Sequence, residues 1–456
     1  MAPVYSEVLE KSDWLIKLPP EILERIILRL PALDILTLGQ CCLRLKEISR
    51  NERIWENLAK RDYKVSLKRG ETSKNQSARH LYFKLLMPYG PLLHETFHRT
   101  NFTFYGGLMK FVYYDCSIYV VEMDPPIFPY VCKNLQPQIV CKLSLDTNNT
   151  ETILKFDQET TDFGKVKSLN ITKDAEGKIQ QIGILSTPST LPFMQNLEIE
   201  IAHWLEADSE TIPKGVLYLQ QYGSRLGLSP NMAYAKFQHR IEFLNEGVQK
   251  LVPLSSLKDP YRPPFCPICP GLFKGTYSGH GIEIINLMFK SNDENVIFGE
   301  KVYGDPNVPC SQLTFKGCMD KSMTLTRSDQ FSIEQITQYM ASTYTTGLPS
   351  CDAKPNYQPF VLPSGCDCDY PLDEDFFRKA LWRFQATCQI SDFMYENPEW
   401  IEGNLIIFSE DIFGVIFIAE SYGFVALSIF HRVKENLSAI HYQDVFNGLP
   451  VMDEDI

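Results

Sequence analysis

Residues 15 to 62, LIKLPPEILERIILRLPALDILTLGQCCLRLKEISRNERIWENLAKRD, constrain this chain most, because they are helical in pattern and too apolar to stand alone. Leu18, Pro19, Pro20 and Glu21 open a helix, since proline suits the first helical position. Glu21 and Glu24 favour the positive end of its dipole. Ile22, Ile26 and Leu30 follow at four-residue spacing as one apolar stripe. A second stripe runs through Ile35, Leu36, Leu38, Cys41 and Leu45, and Trp55 closes the segment as a large plug. A unit of fewer than about 60 residues buries too little surface to hold firmly, so some apolar face awaits a partner.

The order of these features, from Leu18-Pro19 through the leucine run at 34–38 to the late Trp55, resembles an F-box. The resemblance implies docking on the adaptor Skp1 and, through it, on a cullin and its RING protein in a ubiquitin ligase. In that reading Leu18, Pro19, Ile22, Leu36 and Leu38 meet Skp1, while Ile26, Leu30, Cys41, Leu45 and Trp55 hold the helices together. The plain alternative is a helical hairpin serving as core for the rest of the chain.

The 456 residues have room for about two to three modules, and 44% apolar residues exclude a disordered chain. A formal net charge of −12 argues against nucleic acid, which requires a concentrated basic surface. No basic segment precedes a short apolar run, so the expectation is cytoplasm and nucleus rather than secretion. The apolar stretch 412–430 is broken by Glu420 and Ser421 and reads as two strands and a turn, with no membrane partner. Thirteen cysteines in so long a chain do not make a disulfide framework. Cys266 and Cys269 have the spacing of half a zinc site, but no second pair completes it, and Cys366 and Cys368 lie far downstream. Neither a metal nor another cofactor is expected.

Beyond residue 62 the texture turns from helical to extended. Residues 1–14 read as a tail, 15–62 as the F-box, 63–100 as a helical connector, and 101–456 as a β-barrel domain with a helical or looped insertion at 318–356. In 138–145, Ile139, Cys141, Leu143 and Leu145 alternate with their neighbours at the period of a half-buried strand. Further strands fall at 108–114, 117–122, 281–289, 404–408, 414–419 and 424–430, and Asp174 to Gly177 turns a hairpin between 169–173 and 179–185. Helical spacing marks 194–206 and 233–248, and Ser332 with Gln335 forms a capping box. The fold class is therefore α+β: an all-helical F-box, then a large, mainly antiparallel barrel with helical insertions.

Five landmarks occur in order: Tyr105 to Leu108 (YGGL), Pro270 to Ile284 (PGLFKGTYSGHGIEI), Gly304 to Pro309 (GDPNVP), Gln358 to Gly365 (QPFVLPSG) and Phe408 to Gly414 (FSEDIFG). Together with the F-box they resemble the F-box only protein 31 family, whose substrate domain is called a cyclin-D-binding domain. The resemblance implies a barrel whose cavity holds the C-terminal tail of a target, some targets ending in an amide left by backbone damage. Members can carry a Cys/His zinc site in the stretch matching 146–200; here that stretch has neither residue, so zinc is not carried over.

A barrel mouth that takes a chain end needs backbone groups within reach and a few fixed polar side chains. Tyr105, Gly106, Gly107, Lys274, Tyr277, His280, Asp305 and Asn307 are the candidates. Asp305 would accept from a terminal amide and repel a carboxylate; equally, Asp305 to Asn307 is a turn in which aspartate bonds its own backbone. His280 also reads as a structural histidine, and Lys274 as a solvated charge. No nucleophile elbow, P-loop or zinc-protease motif is present, so the chain is read as a non-catalytic substrate receptor. Two other readings are a lipocalin-like carrier of a small ligand and an F-box scaffold that works without a cullin.

Overall fold

The computed structural model describes residues 17–67, 77–100, 104–126, 130–146, 153–157, 165–187, 248–257, 261, 263–277, 280–342, 345–346, 357–372 and 377–434. The helices expected at 194–206 and 233–248 lie outside these residues, apart from Val248, which begins a strand. The chain forms two compact units, one of residues 1–95, 111–120 and 139–159, the other of the remainder.

In the first unit, helices α1 (Pro20–Ile27), α2 (Ala32–Leu38), α3 (Leu43–Ser49) and α4 (Glu52–Tyr63) follow one another closely. Proline occupies the first turn of α1, and the Asn51 side chain caps α4 by accepting from Arg53 N. Leu23, Ile27, Ile35, Leu45, Ile54, Trp55 and Leu58 make the core. Trp55 is fully enclosed, donates from Nε1 to Ser49 O at 2.9 Å, and packs on the rings of Tyr82 and Phe83. Those rings belong to a continuation formed by α5 (Ala78–Leu81), a π-helical turn over Tyr82–Leu86 and the single turn α6 (Met87–Tyr89). Arg61 ties α4 to the end of α1 by donating to the carbonyls of Leu28 and Leu30.

Three expected core residues are not in this core. Ile26 and Cys41 are exposed, and Leu30 is only half-buried; Leu45 and Trp55 are buried. In α1 the sequence offers two adjacent apolar stripes, Ile22/Ile26 and Leu23/Ile27, and four-residue spacing does not say which one turns inward. Leu23 and Ile27 do. Cys41 sits past the end of α2, where its thiol contacts only Thr37 O at 3.6 Å.

Upstream of the barrel, strands run as β1 (Thr96–Arg99), β2 (Leu108–Tyr114), β3 (Ser117–Asp124), β4 (Gln136–Asp146), β5 (Ile153–Asp157), β6 (Lys165–Lys173), β7 (Ile179–Thr187) and β8 (Val248–Pro253). Ile139, Cys141, Leu143 and Leu145 are all buried, as their alternation requires. In the first unit β4 pairs antiparallel with β5. In the second, the order β1-β8-β7-β6 is antiparallel throughout. The β6–β7 hairpin turns at Asp174, whose Oδ1 accepts from Glu176 N and Lys178 N, with Gly177 at φ +81°.

The barrel itself spans β9 (Gly271–Thr276), β10 (Ile282–Lys290), β11 (Asp293–Tyr303), β12 (Leu313–Ser322), then β16 (Trp382–Asp392), β17 (Glu396–Ser409), β18 (Ile412–Ala419) and β19 (Phe424–Arg432). Their order is β11-β10-β9-β19-β18-β17-β16-β12, and β12 returns to β11, closing eight antiparallel strands. The stretch 412–430 resolves into β18, a short turn and β19, and among the described residues no helix is long and apolar enough to cross a membrane. Strand β12 runs to Ser322, so the insertion starts there, not at 318. It contains α7 (Ile333–Ser342) and the short strands β13 (Thr345–Thr346), β14 (Gln358–Pro359) and β15 (Lys379–Ala380). The capping box is formed at α7: Gln335 N donates to Ser332 Oγ, and Ser332 N to Gln335 Oε1.

Phe273, Ile285, Ile297, Phe315, Phe384, Leu405, Phe413 and Phe430 come one from each barrel strand and share one cluster, so the barrel interior is filled. Gly275 stands opposite Phe430, where an added Cβ would lie 2.4 Å from its ring. A second cluster covers the other face of β17–β19: Ile406, Phe408, Ile416, Ile418, Leu427 and Ile429 pack with Ile333, Ile336 and Met340 of α7.

His98, buried in β1, holds Val302 O at 3.2 Å through Nε2. Burial lowers its pKa from 6.5 to about 4, aided by the Arg99 charge and opposed by the bond to Val302. The folded pKa lies below the unfolded one, so the stabilisation is complete above about pH 6.5 and disappears as pH falls towards 4. Urea unfolding should lose up to about 3 kcal/mol over that window. His98→Gln should flatten the fall, and an unchanged pH profile would remove His98 as its source.

Candidate functional site

A cavity of about 400 Å³ opens at the mouth of the barrel. Its floor is Tyr277, Thr314, Phe417 and Ser428; its walls come from the loop at 305–308, the turn joining β16 to β17, and Asp367 and Asp369 of the insertion. The filled interior explains why the space lies at the mouth and not on the barrel axis.

In the lining of the cavity Lys301 sits between two acidic side chains, its Nζ 2.7 Å from both Asp305 Oδ2 and Glu283 Oε2. All three side chains are buried. The ammonium also lies 4.3 Å from the centre of the Tyr277 ring, a cation–π contact. His280 Nδ1 approaches Asp305 Oδ2 at 3.4 Å. Burial alone would raise the Asp305 pKa, but Lys301 and His280 hold it well below the usual carboxylate range. Burial and the Asp305 charge push Glu283 well above that range, against Lys301. The Lys301 ammonium thus favours the charged form of Asp305, while burial and the Asp305 charge disfavour that of Glu283. His280, Glu283 and Asp305 have the atom spacing of a metal site, their ligand atoms lying within 4.8 Å of one another. The lysine ammonium already supplies the cation between the two carboxylates.

Asp305 does both things its sequence context suggests. Its Oδ1 accepts from Asn307 N at 2.5 Å and Val308 N at 3.0 Å, the local turn, while Oδ2 takes Lys301. Both oxygens are thus engaged before any ligand arrives. Asn307 Nδ2 donates to Ser391 O at 2.7 Å, and Tyr395 N donates to Pro306 O at 2.7 Å, clasping this loop to the β16–β17 turn.

Tyr277, His280, Asp305 and Asn307 line the cavity as expected. Tyr105, Gly106 and Gly107 do not line it, but they support the loop that does. Gly304 N donates to Tyr105 O, Gly107 N to Val302 O, and Gly106 at φ +65° leaves no room for a Cβ beside Cys310 and Val302. Lys274 is neither solvated nor in the cavity; it is buried and donates to Lys133 O at 2.5 Å. Sequence reasoning missed Lys301, Glu283 and the cavity residues Gln389, Asp392, Glu399, Tyr422 and Phe424. One signal was present: Glu283 interrupts the apolar run of β10, where a charge demands a partner.

On the helical unit, Leu33 is 56% exposed and Leu43 78% exposed, and Ile22 and Ile26 are exposed beside them in sequence. Leu18, Leu36 and Leu38 are half-buried, and Pro19 is exposed.

Comparison with known families matches residues 15–57 to the F-box domain and residues 254–436 to the cyclin D1 binding domain. The chain is an F-box protein with a cyclin D1 binding domain. It is 24% identical over 476 residues to F-box only protein 31-B of Xenopus laevis, covering 92% of this chain and 84% of that protein. Identity to F-box only protein 31 of Mus musculus is 25% over 480 residues, covering 92% and 85%. For F-box only protein 31 of Homo sapiens it is 23% over 483 residues, covering 92% and 83%. The cyclin D1 binding match contains every strand of the barrel and the whole lining of the cavity.

Lys301→Met should cost roughly 3–5 kcal/mol in denaturant unfolding, because it leaves the Asp305 charge buried without its ammonium partner. Adding Glu283→Gln should recover part of that loss, because it removes the second acid beside Asp305. A Lys301→Met protein as stable as the parent would show that the lysine is not what holds the mouth together.

Proposed function

We propose that this F-box substrate receptor works in a Skp1-cullin-F-box ubiquitin ligase and seats the C-terminal end of a target protein in the cavity at the barrel mouth. It performs no chemistry. It raises the local concentration of a target near a ubiquitin-charged enzyme recruited by the cullin's RING partner. The observation that carries this reading is the joining, in one chain, of an F-box with exposed apolar residues and a barrel whose accessible space is a dead-ended mouth. A dead end suits a chain terminus better than a continuing chain. Its volume falls within the range of roughly 300–1,000 Å³ usual for ligand sites. The matched domain's description makes D-type cyclins one class of target to test.

The lining favours a neutral end over a charged one. Lys301 is the sole lysine or arginine in it and is already neutralised by Asp305, so an incoming carboxylate meets no free cation there. A terminal amide brings N–H donors to a lining rich in acceptors. One peptide prepared as amide and as acid tests this by fluorescence anisotropy. The amide should bind about tenfold tighter, the scale of one charge-bearing contact. Equal affinities, or a preference for the acid, would reverse the reading.

For the helical unit, Ile22→Asp combined with Leu33→Asp places charge on exposed positions, so folding should be retained. Co-purification with Skp1 should be lost, since a docking residue contributes about 2 kcal/mol or more. An intact complex with that double variant would remove this face from the docking surface.

A further inference from the structure

The cavity mouth has a chemical character that end recognition does not need. Its lining carries Asp305, Asp367, Asp369, Asp392 and Glu399 against the single Lys301, which is already matched by Asp305. Four carboxylates therefore remain without a lysine or arginine in the lining, and they come from two separate segments. Asp367 and Asp369 come from the insertion, Asp392 and Glu399 from the paired strands β16 and β17.

Aromatic rings stand beside them. Tyr422 is 62% exposed and Phe424 is exposed, and both line the cavity. Glu399 and Asp392 both lie near enough to the Tyr422 hydroxyl to raise its pKa, Glu399 with the larger effect. Exposed aromatic faces next to carboxylates match the chemistry of a lysine or arginine side chain, whose stem covers the ring while its head meets the acid.

Gln389 adds an independent observation. It is 8% exposed, lines the cavity, and donates from Nε2 to the Tyr395 hydroxyl, while its Oε1 has no hydrogen-bond partner. A buried acceptor without a donor is costly, and it calls for a ligand that brings N–H groups.

The walls are also held in place. The β16–β17 turn passes through left-handed backbone at Met394, Tyr395 and Asn397, and Asn397 Nδ2 donates to Asp392 Oδ2 at 3.0 Å. In the insertion, Asp367 N donates to Val425 O and Leu427 N to Asp367 O, fixing Asp367 against β19 like an added strand.

Resting on the reading of this cavity as a seat for chain ends, we propose that it selects tails carrying lysine or arginine in their last few residues, the cationic side chain lying on Tyr422 and Phe424 beside Asp392 and Glu399. Like charges exclude acidic tails from the same mouth.

The experiment uses the full chain and a set of neutral Gly/Ser/Ala octapeptides, each as C-terminal amide and acid. A single position near the end is varied among Lys, Arg, Leu and Glu, and affinity is read by fluorescence anisotropy. Lys and Arg peptides should bind about tenfold tighter than Leu, and Glu weaker than Leu. The advantage should shrink as salt rises. In the Asp392→Asn, Glu399→Gln double variant the advantage of the Lys peptide over the Leu peptide should disappear. Tyr422→Leu, at an exposed position, gives a second test and should lower the ratio of Lys to Leu peptide affinity. If the amides bind without preference for a cation, this proposal fails while the end-seat reading stands. If no peptide binds in either terminal form, both fail. A cation preference that survives the double variant and Tyr422→Leu also overturns the assignment to these residues.

Discussion

The mouth of the barrel is organised around one buried ammonium. Lys301 reaches from β11 to Glu283 of β10 and to Asp305 in the loop that follows, so it joins two strands and a turn at a single point. A buried charge persists only where its partners are close and its donors are used. Here the partners are two carboxylates and the face of Tyr277. This arrangement fixes the 305–308 loop, which in turn meets the β16–β17 turn through Asn307 and Ser391. The cavity walls thus depend on a charge that a ligand has no need to touch.

The filled interior sets the second constraint. Phenylalanines from β9, β12, β16, β18 and β19 meet inside the barrel, and Phe413 and Phe430 stack with centroids 4.8 Å apart. Packing of that kind supplies stability and leaves no axial channel. Recognition is therefore confined to the rim, where loops and strand ends carry polar groups. Specificity and stability reside in different residues as a result.

Much of this was legible in the sequence and some was not. The alternation at 139–145, the Asp174 hairpin, the Ser332 capping box and the 412–430 meander are local patterns, and each formed as its residues require. Pairings such as β9 with β19 and β12 with β16 join distant segments, and periodicity gives a strand but not its neighbour. The same limit hid the site. Tyr277, His280, Asp305 and Asn307 stood in glycine-rich landmarks and were visible, whereas Gln389, Tyr422 and Phe424 lie in ordinary strand and turn sequence. In α1 the ambiguity was of another kind, since two neighbouring apolar stripes compete and only packing decides between them.

The insertion between β12 and β16 leaves and re-enters the barrel on neighbouring strands. Ser322 stands opposite Phe384, and Met323 N donates to Arg383 O at 2.9 Å, so its two ends are tied together at the base. A segment pinned in this way can lengthen, shorten or exchange residues without shifting any barrel register. It is also the segment that brings Asp367 and Asp369 to the cavity. One wall of the mouth is consequently free to drift in charge over evolutionary time while the scaffold beneath it stays fixed, a route by which related receptors with the same barrel come to collect different clients.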